Sequence, residues 1–145
     1  MNTLSRRVTV VLAFLLLGAA AAAQAPENKA PGLQKGEIAS LEIFDRDPAS
    51  RVEELVFQTS DPERIEPLAA VIRSATPGRD HKCADTGVIV LHMKDGRAVR
   101  LGTLAGHDAA FWEYRLYSGE AYEVFRVDRG AFLRVLEQFG VRAKN

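Results

Sequence analysis

The sequence has a single cysteine, Cys83, so no disulfide can form within the chain and its stability must come from packing. It also lacks an excess of charge of either sign, because 19 Lys and Arg residues balance 19 Asp and Glu residues. That balance argues against a nucleic-acid-binding surface, which requires a basic stripe. The glycines form no phosphate-binding loop, and no serine lies in a nucleophile elbow. We therefore expect no enzyme activity, no cofactor and no nucleic-acid partner.

A hydrophobic run long enough to span a membrane is missing too, but a shorter one lies near the N-terminus. Arg6 and Arg7 precede an apolar run over residues 8–17, and small residues follow up to Ala23 and Ala25. These three regions are typical of a signal peptide, which predicts removal of residues 1–25, with cleavage after Ala23 or Ala25. A retained anchor is the weaker alternative, because a membrane span needs about 20 apolar residues.

The predicted signal peptide places the mature protein outside the cytoplasm, in the periplasm or secreted, with no membrane anchor after cleavage. The general secretory route and the twin-arginine route both stay open, the latter because of the paired arginines. After removal of the signal peptide, 17 basic residues face 19 acidic ones, which leaves a net charge of −2.

Turn and breaker residues divide the rest of the chain into a tail and one domain. Residues 26–36 are polar and contain Pro and Gly, which predicts a flexible tail. Residues 37–142 then form a single α+β domain, because about 120 residues suffice for one core. Strand patterns lie at residues 38–44, 52–59, 87–93, 97–104, 111–117 and 120–127. One helix is predicted with Ser60 or Asp61 as its cap and a breaker at Pro67, and a second between Asp128 and Gly140.

The order of elements is therefore strand, strand, helix, four strands, helix. This order predicts a single antiparallel sheet with both helices packed on one face. The opposite face of such a sheet is left toward solvent or toward a partner. We expect a monomer or a weak homo-oligomer.

Two turns predict the register of the last four strands. Asp95-Gly96 suits a two-residue type I′ turn, which makes the numbers of facing residues sum to 191. If Ser118-Gly119 forms a two-residue turn between the last two strands, the numbers of their facing residues sum to 237, which places Trp112 opposite Phe125.

Potential metal ligands gather near one end of the predicted sheet. One group of potential ligands, Asp80, His81, Cys83 and Asp85, precedes one strand, and a second, His107 and Asp108, follows its antiparallel neighbour, so both groups are expected at the same end. Imidazole, thiolate and carboxylate groups together suit a zinc or copper ion, and a Cys–His pair also suits thiol chemistry. The simpler alternative is a solvated polar loop with Cys83 packed as a small hydrophobic residue.

The last hairpin has two faces of different character. The face that carries Trp112 is expected in the core. The other face carries aromatic, aliphatic and arginine side chains, a composition typical of protein interfaces. These candidate partner-binding residues are Phe111, Arg115, Tyr117, Tyr122, Val124 and Arg126. With both helices on the core face, nothing else in the chain is expected to cover them, although an ordinary solvated sheet face is the alternative.

Two hypotheses of function follow from these patterns. The first is an exported, non-enzymatic binding or adaptor domain that recognises a protein or envelope partner through the outward face of the last hairpin. The second is a metal-binding or thiol site formed by His81, Cys83, His107 and Asp108.

Overall fold

The structure, a computed structural model, describes residues 32–143. The predicted signal peptide, residues 1–25, and residues 26–31 of the predicted tail lie outside the described residues. Within the described part, no helix is long and apolar enough to span a membrane. Leu33, the apolar residue of the predicted tail, packs in the hydrophobic core and is 5% exposed.

Seven strands and two helices make up the described part of the chain. In chain order they are β1 (Ile38–Arg46), β2 (Glu53–Thr59), α1 (Pro62–Arg73), β3 (Thr76–Pro77), β4 (Asp85–Met93), β5 (Ala98–Leu104), β6 (Phe111–Ser118), β7 (Ala121–Asp128) and α2 (Arg129–Gln138). Six of these strands match the predicted ones to within two residues at each end. The short strand β3 is additional, and it lies where the sequence indicates only the end of a helix.

All seven strands join one antiparallel sheet in the order β2-β1-β4-β5-β6-β7-β3. Helix α1 contacts β1 and β7, helix α2 contacts β6 and β7, and the two helices contact each other. Both helices therefore cover the same face of the sheet, and the predicted α+β fold is confirmed. The main core lies between that face and the helices. Its largest fully buried side chains include Trp112, Phe125, Leu41, Leu68 and Ile72.

The helices begin and end at the residues that their capping chemistry indicates. The Asp61 carboxylate accepts a hydrogen bond from the backbone N–H of Glu63, and that of Asp128 accepts one from Ala131. Gly140, with φ of +72°, follows the end of α2. Helix α1 continues through Pro67, the predicted breaker, because the proline removes a single backbone donor while four α1 residues are buried in the core.

The turn between β4 and β5 is not the predicted type I′ turn. That turn requires positive φ at both central residues, but only Gly96, with φ of +88°, has it, and Asp95 does not. The N–H of Met93 instead donates to the carbonyl of Arg97 at 2.8 Å, which closes a three-residue loop. The numbers of facing residues therefore sum to 190, as in the pair Ile89 and Leu101, and the predicted sum of 191 is wrong.

This shift by one residue exchanges the faces of the strand pair. Leu101 lies in the core beside Ile89, and not on the face of His92 as the predicted register implies. His92 lies on the outward face, where its Nε2 is 2.9 Å from a carboxylate oxygen of Glu42 on β1.

The β6–β7 hairpin differs from its predicted register by two residues, which leaves the faces unchanged. Gly119, with φ of +64°, is the first central residue of the turn, as in a type II′ turn, and Ser118 pairs with Ala121. Trp112 therefore faces Val127, and the predicted pairing of Trp112 with Phe125 is wrong. Because the shift is even, the prediction that Trp112 lies on the core face is confirmed.

Candidate functional site

Two loops meet at one end of the sheet and bring three potential metal ligands together. Residues 78–84 connect β3 to β4 and carry His81 and Cys83, and residues 105–110 connect β5 to β6 and carry His107. One ligand atom from each of these three residues lies within 4.8 Å of the other two. The antiparallel neighbours β4 and β5 place both loops at the same end, as the sequence predicts.

Cys83 and His107 form the closest pair of the cluster. The Sγ of Cys83 lies 2.8 Å from Nε2 of His107, within hydrogen-bonding distance. The rings of His81 and His107 approach edge to face, with centroids 5.7 Å apart and planes at 71°. Cys83 and His81 are half-buried and His107 is exposed, so the cluster is open to solvent on the side of His107.

The ring of His81 is oriented by Glu113, an outward-facing residue of β6. Its Nε2 lies 2.6 Å from Oε2 of Glu113. A carboxylate only accepts hydrogen bonds, so in the neutral ring Nε2 carries the hydrogen and the lone pair is on Nδ1. That Nδ1 is buried and has no hydrogen-bond partner among the described residues. A buried acceptor without a partner is uncommon and indicates that something else satisfies it.

The loop that carries His81 and Cys83 is fixed from beneath by the guanidinium group of Arg115. Its Nη2 donates to the carbonyl oxygens of His81 and Cys83, both at 2.7 Å. Its Nη1 donates to Oδ1 of Asp85 at 2.8 Å, and the hydroxyl of Tyr117 donates to the other carboxylate oxygen. One buried side chain thus holds the backbone at both ligand positions of this loop.

Sequence reasoning missed Glu113, and it indicated Asp85 only as a potential ligand, whereas the structure pairs Asp85 with Arg115 beneath the loop. A local signal for Asp85 is Gly102 on β5, where a Cβ would collide with the Asp85 carboxylate. A glycine in a strand often marks such a close approach of another group. Glu113 has no comparable signal, because it lies 32 residues from His81 in the sequence and their contact depends on how the loop of residues 78–84 folds over β6.

Asp108, the fourth predicted ligand, does not join the cluster. Its Oδ1 accepts hydrogen bonds from the backbone N–H groups of Ala110 and Phe111, at 2.7 and 3.1 Å. These two bonds lower the pKa of the Asp108 carboxyl below its usual value. The residue therefore caps the loop that leads into β6, and it is not among the three residues whose ligand atoms converge.

The outward face of the last hairpin is covered in part by the same loop, contrary to the expectation that nothing in the chain covers it. Arg115 and Val124 are each 7% exposed. The N–H of Gly78 donates to the carbonyl of Val124 at 2.9 Å, and the hydroxyl of Tyr122 lies 3.1 Å from Oδ1 of Asp80. Of the six candidate partner-binding residues, Tyr122 and Arg126 are exposed and Phe111 and Tyr117 are half-buried.

The donor set is a cysteine sulfur and two imidazoles, with a carboxylate behind one imidazole. Such sets bind zinc and copper, and a carboxylate that accepts from the second ring nitrogen of a ligand histidine raises its basicity. Comparisons with protein-family models, with curated proteins and with solved structures find no match to this chain.

Proposed function

We propose that this protein binds one zinc or copper ion through His81, Cys83 and His107. The observation that carries the proposal is the convergence of the three ligand atoms within 4.8 Å of one another, from two loops separated in sequence. Two further features support it. The free acceptor nitrogen of His81 has no partner among the described residues, and Glu113 fixes the tautomer that leaves it free.

Three protein ligands leave the fourth position of a tetrahedral zinc ion open to water or to a ligand from another molecule. Thiolate and imidazole ligands suit Zn²⁺ and Cu⁺, whereas Mg²⁺ and Ca²⁺ prefer oxygen. The proposed activity is therefore reversible binding of a borderline or soft metal ion at an open site, as in capture or transfer of the ion. The solvent exposure of His107 gives the ion an entry path.

Metal binding requires a small rearrangement of the closest pair. Zn–S and Zn–N bonds of about 2.3 and 2.0–2.1 Å at a tetrahedral angle separate the two ligand atoms by about 3.6 Å. The Sγ of Cys83 and Nε2 of His107 lie 2.8 Å apart, so they must separate by less than one ångström. Arg115 holds the backbone of Cys83, and the exposed His107 is the side that moves.

The test is a titration of the purified protein with Zn²⁺ and, under reducing conditions, with Cu⁺, followed by calorimetry and by the reactivity of the Cys83 thiol. We expect one ion per chain and protection of the thiol by the bound metal, because a coordinated thiolate is a poor nucleophile toward added reagent. The variants Cys83→Ser and His107→Ala should each lose at least tenfold in affinity. His92→Ala is the matched control, because His92 also faces a glutamate but lies outside the cluster.

The alternative use of the same residues is thiol chemistry by a Cys83 that His107 activates. It predicts rapid reaction of the thiol that depends on His107 and not on His81. Absence of saturable metal binding in the wild-type protein, or an equal loss in His92→Ala and His107→Ala, would overturn the metal proposal.

Export and partner binding enter as further proposals. Residues 1–25 support export as a signal peptide, which would place the metal site in the periplasm or outside the cell. Binding of a protein partner at the outward face now rests on the residues that the loop leaves accessible. Tyr122, 40% exposed, and the pair of Arg126 over the ring of Phe111 at 4.6 Å are the features that support it.

A further inference from the structure

A cavity of about 370 Å³ lies on the helix-covered face of the sheet, beside α2 and the segment that follows it. Most of its wall is apolar and includes Ile43, Ile89, Trp112, Phe132, Leu136 and Val141. Binding sites for small molecules are typically concave, mostly apolar and about 300–1,000 Å³ in volume. The cavity therefore has the size and the lining of a site for a small organic molecule.

Four polar residues also line the cavity: Asp45, Thr86, Thr103 and Arg142. Thr103 on β5 lines the cavity and is 9% exposed. Its backbone carbonyl accepts from the hydroxyl of Thr86, but no described residue forms a hydrogen bond with its own hydroxyl. This hydroxyl is therefore available to donate a hydrogen bond to, or accept one from, a molecule bound in the cavity.

Gly87 on β4 keeps space open next to that hydroxyl. It faces Thr103 across the β4–β5 pair and also lines the cavity. A Cβ at this position would lie 2.7 Å from Oγ1 of Thr103, closer than two such atoms pack. The absence of a side chain at residue 87 thus leaves the Thr103 hydroxyl accessible from the cavity.

We infer that this cavity binds a small, mainly apolar molecule that carries one hydroxyl or carbonyl group, with the apolar part against Trp112 and Leu136 and the polar group on Thr103. The site is distinct from the proposed metal site. Glu113 and Arg115 support the metal loop from the outward face of β6, whereas Trp112 lies on its core face. The two sites therefore succeed or fail independently.

The test uses 1-octanol as the probe and the fluorescence of Trp112, the only tryptophan in the sequence, as the readout. We expect a saturable change in emission of the purified protein and a rise in melting temperature with probe concentration, because the probe binds the folded state. Thr103→Val, which removes the hydroxyl but keeps the shape, should weaken binding about three- to tenfold, the equivalent of one hydrogen bond.

A pair of identical substitutions separates the cavity from the rest of the surface. Val141→Phe adds bulk inside the cavity and should reduce the affinity for 1-octanol at least tenfold. Val52→Phe, at a residue 64% exposed and outside the cavity, should bind like the wild type. Cys83→Ser should also bind 1-octanol like the wild type, whatever the result of the metal titration.

The inference is overturned if the wild-type protein shows no saturable response up to about 1 mM probe, a concentration at which weak specific sites are occupied. It is also overturned if a folded Val141→Phe variant binds as tightly as Val52→Phe. Should Val141→Phe fail to fold, unchanged binding in Thr103→Val would overturn the assignment of the polar group.

Discussion

Nη1 of Arg115 lies 2.8 Å from Oδ1 of Asp85, and the two residues are 7% and 5% exposed. This buried ion pair joins β6 to the first residue of β4, directly beneath the loop that carries His81 and Cys83. It explains why an arginine on the outward face of a sheet is not free for a partner. Nη2 of Arg115 holds two backbone carbonyls, so the pair links the stability of the fold to the geometry of the site.

Arg115→Ala should lower the free energy of unfolding by about 3 kcal/mol, because the buried Asp85 carboxylate loses its closest cation and keeps only Arg46, at 3.5 Å, and the Tyr117 hydroxyl. This replaces the expectation from the sequence that Arg115 belongs to an outward face that nothing else in the chain covers. Arg97→Ala is the control, because Arg97 and Asp95 form an exposed pair at 2.7 Å, and such pairs contribute about 1 kcal/mol or less. Urea denaturation measures both, and equal losses would contradict the prediction.

Trp112→Ala should lower the free energy of unfolding by about 3–5 kcal/mol, the range for removal of a large buried aromatic side chain. Trp112 is 1% exposed and its ring packs 5.4 Å from that of Phe132 in α2. Tyr122→Ala, on the exposed part of the same hairpin, should cost much less. Chemical denaturation of both variants measures the difference. A loss below about 1 kcal/mol for Trp112→Ala is typical of a surface substitution and would contradict the core position of Trp112.

Gly96→Ala should lower the free energy of unfolding by about 1–2 kcal/mol, the cost of a side chain in the left-handed region. The glycine has φ of +88°, and a Cβ there would meet no atom within 4 Å, so backbone strain is the only cost. Thermal melts of the variant and the wild type should differ, and a Gly96→Ala variant as stable as the wild type would exclude the three-residue loop.

The sequence predicts the fold class and element positions because hydrophobic alternation, helix caps and turn residues act locally. It does not predict the exact register, because Asp95-Gly96 is compatible with both a two-residue and a three-residue loop, which differ by one residue. The shift at Gly119 is even, so the faces of the last hairpin are predicted correctly despite the wrong partner of Trp112.

The site is predictable only as far as strand neighbours bring loops together. Antiparallel pairing of β4 with β5 suffices to place His81, Cys83 and His107 at one end. The path of residues 78–84 over the outward face is set by long-range contacts of Arg115, which no local pattern encodes. For that reason the covered state of the face and the role of Glu113 are visible only in the structure.

Tyr114→Phe should not destabilise the protein at neutral pH and should make it more resistant to alkali. The Tyr114 hydroxyl is buried without a hydrogen-bond partner among the described residues, so its removal relieves a desolvation cost. Burial also raises the pKa of Tyr114 above its ordinary value of 10.0. The folded state therefore favours the protonated phenol more than the unfolded state does. The free energy of unfolding is unaffected by this preference below pH 10.0 and falls as the pH rises above 10.0 toward the folded pKa.

The measurement is urea denaturation at pH 8 and pH 11 of Tyr114→Phe beside Tyr122→Phe, whose hydroxyl is on the exposed surface. The wild type and Tyr122→Phe should lose stability between the two pH values. Tyr114→Phe should lose less stability. Part of the pH dependence should remain, because the pKa of Tyr117 is also raised, by burial and by the hydrogen bond and charge of Asp85. An identical loss in both variants would show that Tyr114 does not carry the alkaline transition.

Glu113→Gln tests whether the carboxylate behind His81 belongs to the metal site. A ligand histidine commonly donates its second ring N–H to a carboxylate, and loss of that partner costs about 10–100-fold in metal affinity. Glu113 is such a partner at 2.6 Å, so Glu113→Gln should lower the affinity for Zn²⁺ by that factor without altering the one-to-one stoichiometry. Competition with a chelator of known affinity measures the change.

The chain offers a matched control in Glu42, which faces His92 at 2.9 Å on the outward face of β1 and β4, away from the cluster. Glu42→Gln makes the same chemical change beside a histidine that binds no metal in the proposal, so its affinity for Zn²⁺ should equal that of the wild type. If Glu113→Gln also binds like the wild type while His81→Ala does not, His81 is a ligand that needs no carboxylate behind it. If both variants and His81→Ala bind like the wild type, the ion is held without His81, and the three-residue ligand set is wrong.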